Sequence, residues 1–149
     1  MYKKGQRTRL DATVRKIETI FYNEKQIRRA VMEARQDKGG FTGGTGGHAF
    51  VSDPTANQAI RNVEEIKKIV IDQGAVINYP ERWLKVIDAT YNNLDPLSRD
   101  AVKMRYKGYH WRQICDKLNF SRHMYHTILD DAQNYATAAA CQVGVLKII

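Results

Sequence analysis

The sequence predicts an all-α fold, on three observations. Apolar residues return at intervals of three and four along most of the chain. No segment reads as a sustained strand alternation. Breaks between the periodic stretches carry glycine, proline, asparagine or aspartate, the residues that stop and start helices. With 149 residues the chain can hold one ordinary domain, or two small helical units sharing a core.

The first element is a long amphipathic helix over 10–35. Leu10, Val14, Ile17, Ile20, Phe21, Ile27, Ala30, Val31 and Ala34 form its apolar face, and a bend is expected near Asn23. Residues 38–54 follow, with six of the ten glycines, and read as a linker or mobile loop. They lack the Gly-Lys-Ser/Thr ending of a phosphate loop, since Gly47 is followed by His48, and no strand precedes Gly44, Gly46 and Ala49. Asp53 before Pro54 marks a helix start. The stripe Ile60, Val63, Ile66, Ile69, Val70 then predicts a helix over 54–71, closed by Gly74. Residues 79–92 form the next helix, with Trp83, Leu84, Ile87 and Tyr91 inward, and the run Asn92 to Pro96 breaks it. On this reading residues 1–95 are an N-terminal helical region and 96–149 a C-terminal region.

The C-terminal region carries the most specific pattern. A helix over 97–107, with Leu97, Ala101, Val102, Met104 and Tyr106 apolar, ends at Gly108. A short helix over 111–118 turns Trp111, Ile114, Cys115 and Leu118 inward, with Cys115 small enough for a close helix approach. Asn119 can adopt the left-handed conformation, Phe120 can plug the space between helices, and Ser121 can cap the helix over 122–140. Tyr125, Ile128, Leu129 and Ala132 face in, which leaves Arg122, His123, His126 and Thr127 outward. The spacing, turn, cap and charge together are those of a helix-turn-helix over 111–131.

Charge distribution agrees with that reading. Of 24 Lys and Arg against 16 Asp and Glu, net +8, the excess lies at the two ends: ten basic and five acidic residues in 1–37, seven and two in 99–122, but five and six in 56–95. A polyanionic partner is favoured. Arginine can pair with guanine in the major groove and threonine can meet a thymine methyl, so Arg122, His123, His126 and Thr127 are the candidate base readers. Ser121, Arg112, Lys117, Lys103, Arg105 and Lys107 are the candidate phosphate contacts, holding the module in register.

Other chemistries find little support. Two cysteines, Cys115 and Cys141, make a disulfide scaffold unlikely. His110, His123 and His126 lack a further ligand at metal spacing, so no metal and no cofactor are expected. There is no nucleophile elbow, HExxH or readable carboxylate constellation, which argues against an enzyme. The N-terminus lacks the apolar stretch of a secretory signal and no long apolar run occurs. A cytoplasmic, nucleoid-associated protein without a membrane partner is expected.

The stretch LSRDAVKMRYKGYHWRQICDKLNFSRHMYHTILDDA, residues 97–132, resembles the phage-encoded transcriptional activators of the RinA and ArpU type, whose C-terminal part is similar to region 4 of sigma factors. The segments SDPTANQAI at 52–60 and YPERWLKVIDATYNNL at 79–94 also look like that family. The resemblance implies activation of late phage or prophage genes for packaging and structural proteins, through promoter DNA and host RNA polymerase. It implies base contacts from Arg122, His123, His126 and Thr127, and phosphate contacts from Ser121, Arg112 and Lys117. Two alternatives remain open: a DNA-packaging module such as a small terminase subunit, and a helical polymerase-binding protein without DNA specificity of its own. A homodimer reading two half-sites is a further candidate assembly.

Overall fold

The computed structural model describes the backbone of residues 4–39 and 64–147, and the side chains of 12–36 and 64–147. The described chain is mainly helical: α1 (Lys4–Tyr22), α2 (Glu24–Gly39), α3 (Pro80–Asn93), α4 (Pro96–Tyr106), α5 (Trp111–Leu118) and α6 (Arg122–Gln142). A small antiparallel hairpin, β1 (Lys68–Val70) and β2 (Val76–Asn78), precedes α3. The glycine-rich segment from residue 40 onward and the helix start at Asp53-Pro54 lie outside the described residues. The chain divides into two compact units, residues 25–81 and residues 1–24 with 82–149.

The interruption expected near Asn23 falls on that residue. Its amide and its side-chain nitrogen both donate to the Thr19 carbonyl, at 3.2 and 2.8 Å, closing α1. Glu24 then opens α2, where a carboxylate suits the positive end of a helix dipole.

In the 25–81 unit the structure corrects one expectation. The helix predicted over 54–71 is absent from its described part, where residues 68–70 form a strand instead. Lys68 pairs with Asn78, Ile69 with Ile77 and Val70 with Val76. Ile69, Ile71 and Ile77 are buried while Lys68, Val70, Val76 and Asn78 are exposed, a period-two pattern that suits β-branched side chains on a pleated surface. Gly74 is a turn residue here: Gln73 and Gly74 both take positive φ, +69° and +77°, and the Gly74 amide returns to the Ile71 carbonyl at 3.1 Å. The Asp72 amide donates to Gln26 Oε1 at 3.3 Å, fastening the turn to α2. A second tie is the fork of Arg35 on Glu81, with Nε–Oε1 2.9 Å and Nη2–Oε2 2.7 Å.

In the other unit the three C-terminal helices pack on one another, and α1 packs along α6. Asp95 caps α4 by accepting from the Ser98 amide at 3.1 Å, with Pro96 at the first helical position. Arg99 closes the turn before it, donating to the carbonyls of Tyr91 and Leu94 at 2.9 and 3.1 Å. Phe21 of α1 meets Tyr91 edge-on and Tyr106 at 5.0 Å between ring centroids. Trp83, Val86 and Ile87 of α3 are fully buried, and Thr90 returns its hydroxyl to the Val86 carbonyl at 2.7 Å. Ala132, Ala136 and Ala140 form the buried stripe of α6, small residues that let a neighbouring helix approach closely.

Candidate functional site

The site is built on the connection between α5 and α6. Gly108, at φ +98°, ends α4, its amide returning to the Arg105 carbonyl at 2.9 Å. His110 then caps α5: its Nδ1 accepts from the Arg112 amide at 3.3 Å, and Gln113 Oε1 accepts from the His110 amide at 2.9 Å. This reciprocal pair is a capping box with histidine in the place of serine or threonine. Its sequence signal was a glutamine three residues after the cap.

Asn119 ends α5 in the left-handed region, φ 56° and ψ 44°. The Phe120 amide reaches back to the Cys115 carbonyl at 3.0 Å, satisfying a helix-end acceptor. Phe120 itself is buried in a cluster with Ala101, Ile114, Cys115, Tyr125 and Leu129, against which Met104, Tyr106, Trp111, Leu118 and Ile128 pack. The Cys115 thiol donates across the turn to the Ser121 carbonyl at 3.8 Å, and burial followed by the nearby Asp116 charge pushes its pKa up. It is a packing residue rather than a reactive thiolate. Ser121 caps α6, accepting from the Met124 amide at 3.1 Å, so its own hydroxyl hydrogen remains to be donated outward.

Arg122, His123, His126 and Thr127 are all exposed at the start of α6, and no acidic residue occurs from 122 to 129. Thr127 donates its hydroxyl to the His123 carbonyl at 3.0 Å, which leaves its methyl and lone pairs facing out. The His126 ring stands edge-on to Tyr125 at 5.3 Å. Arg112 and Lys117 are exposed on α5, and among the described residues no carboxylate pairs with Arg112, Lys117 or Arg122. Arg112 and Arg122, from two different helices, both lie over the Trp111 ring, at 5.3 and 4.8 Å from its centroid.

The remaining expected phosphate contacts do not all join this group. Lys107 is exposed at the end of α4. Lys103 is exposed, with its ammonium 5.2 Å from the Tyr91 ring of α3. Arg105, also expected as a phosphate contact, is half-buried, its guanidinium donating to the Tyr125 hydroxyl at 3.0 Å and to Glu18 Oε1 at 3.3 Å. Burial works against its charge, but the Tyr125 bond and the Glu18 carboxylate outweigh it, and the pKa is raised. Glu18 Oε1 also accepts from the Tyr106 hydroxyl at 3.4 Å and from the Gln133 amide. Burial, then the Glu18 charge, pushes the Tyr106 phenol up. This seam joining α1, α4 and α6 was hidden in the sequence, where Glu18 reads as one more solvated charge.

Among the described residues no group of three or more His, Cys, Asp or Glu is placed to hold a metal ion, and no helix is long and apolar enough to cross a membrane. No protein family, curated protein or solved structure matches the chain.

Proposed function

We propose that the chain is a sequence-specific DNA-binding transcription regulator whose reading head is a helix-turn-helix made by α5, the Asn119–Ser121 turn and α6. The observation that carries this reading is the start of α6. A left-handed Asn119 and a Ser121 cap aim a 21-residue helix whose first two turns expose Arg122, His123, His126 and Thr127 and carry no acid. A helix presented this way suits the major groove, where its first turns meet base edges. Arg112, Lys117 and the hydroxyl of Ser121 stand at the two helix starts and the end of α5, where phosphates flank an inserted helix. With α4 in front, the unit is read as similar to sigma factor region 4.

The resemblance to phage activators of the RinA and ArpU type adds the biological setting: late packaging and structural genes, transcribed by host RNA polymerase in the bacterial cytoplasm. The deciding experiment is footprinting of the purified protein on the DNA around its own gene. Protection of a promoter, with stimulated transcription there, is expected. Protection confined to a packaging start site, by a ring of eight or more chains, would replace activation with packaging. Polymerase binding with no DNA shift even at low salt would replace both with a polymerase-binding role.

A further inference from the structure

Trp111 is the first residue of α5, and its ring holds more than hydrophobic packing requires. The guanidinium of Arg122 lies 4.8 Å from its centroid, that of Arg112 lies 5.3 Å away, and the His110 ring is tilted against it at 5.7 Å. Two of these three neighbours are adjacent in the chain, so their nearness follows from connectivity. Arg122 is different. It comes from the start of α6, eleven positions on, and reaches Trp111 only because the Asn119–Ser121 turn brings the two helix starts together.

The placement of Arg122 is electrostatically costly for the isolated chain. It is the first residue of α6, at the positive end of the helix dipole and near a second guanidinium. No carboxylate among the described residues offsets it. What does face it is the negative π-surface of an indole, the strongest aromatic partner for a cation. A guanidinium held at that surface carries its five donors in one fixed plane, where lysine would present a rotating point charge.

We propose that Trp111 is a positioning residue for Arg122, fixing the direction of that guanidinium at the start of α6 before nucleic acid arrives. The inference rests on the DNA-reading role proposed above and deepens it: Arg122 is preordered, so less side-chain freedom is lost on docking. Specificity at the base facing Arg122 then depends on a residue of α5 that itself need touch no base.

The test uses the full chain and three variants, Trp111→Leu, Trp111→Phe and Arg122→Ala, compared at matched helicity. Nuclear magnetic resonance of the free protein gives the first readout. The Arg122 side-chain protons should be shifted upfield by the indole ring current, and lose that shift in Trp111→Leu; unshifted protons in the native chain would overturn the proposal whether or not DNA binds. The second readout is binding to the footprinted site against random DNA. Trp111→Leu should reduce that preference about 3- to 10-fold, Trp111→Phe should restore part of it, and Trp111→Leu should add little to Arg122→Ala. Additive losses from Trp111→Leu and Arg122→Ala, with DNA binding otherwise intact, would reject the positioning role and leave the DNA-binding reading standing. Absence of binding to any DNA by the native chain would instead reject the reading on which it rests.

Discussion

Arg105 and Arg122 carry the same five donors and end in opposite surroundings. Arg105 is turned into the seam between α1, α4 and α6, where Glu18 and the Tyr125 hydroxyl receive it. Arg122 stands exposed at the start of α6, over Trp111. Tyr125 and His126, neighbours in the chain, repeat the contrast, since Tyr125 is buried against the α4–α5 core and His126 is exposed. Four and five residues past its Ser121 cap, α6 thus has one side committed to holding its own angle and another left exposed. The inward side determines where the helix points, and the outward side is the one the proposed DNA-reading role would use.

Breaking the inward side should have the largest effect. Glu18 and Arg105 are only 17% and 29% exposed, so Glu18→Ala leaves a half-buried guanidinium without its carboxylate. The expected loss is about 2–3 kcal/mol of unfolding free energy by chemical denaturation, reduced from the fully buried case by the remaining exposure. An unchanged denaturation midpoint would show that the seam is ornamental. Next comes Arg122→Ala, which should leave stability within about 0.5 kcal/mol but cost about 1–3 kcal/mol in binding to a preferred site. Equal losses on preferred and random DNA would demote Arg122 from reader to phosphate contact. Lys117→Ala, by comparison, should weaken all sequences alike and flatten the dependence of binding on salt.

Asn119 connects the two sides. Asn119→Ala places a Cβ in a left-handed conformation that alanine resists, for about 1 kcal/mol, while Asn119→Gly should be close to neutral. Equal costs from the two substitutions would mean that the side chain, and not the backbone angle, matters there. The smallest effect belongs to Asp95. Hydrogen bonding from the Ser98 side chain and then its amide holds the Asp95 carboxyl below the usual 3.8, which favours the ionised form in the folded chain. That contribution is complete above the unfolded value and is lost as pH falls through the lower folded value. Acid titration of stability should therefore lose a shallow component in Asp95→Asn, where the amide oxygen still caps the helix.

The C-terminal helices were legible because their signals are local. Gly108, Asn119, Ser121 and the alternation of Ile114, Cys115, Leu129 and Ala132 with charged residues each act within one turn of chain. The hairpin at 68–78 was misread for the opposite reason. Ile66, Ile69 and Val70 fit a helical stripe as well as Ile69, Ile71 and Ile77 fit a strand face, and pairing of Lys68 with Asn78 across the turn decided between them.

Sequence by itself determined the helix ends in the C-terminal region, the conformation of Asn119, the cap at Ser121 and the exposure of Arg122, His123, His126 and Thr127. Caps, positive-φ turns and three-four periodicity are short-range, so the residues that specify them are neighbours. Only the tertiary structure decided that Arg105 turns inward, that Glu18 receives three donors, and that Arg122 meets Trp111. Those partners lie as many as 115 positions apart, and a charge is sorted inward or outward by what the fold brings beside it.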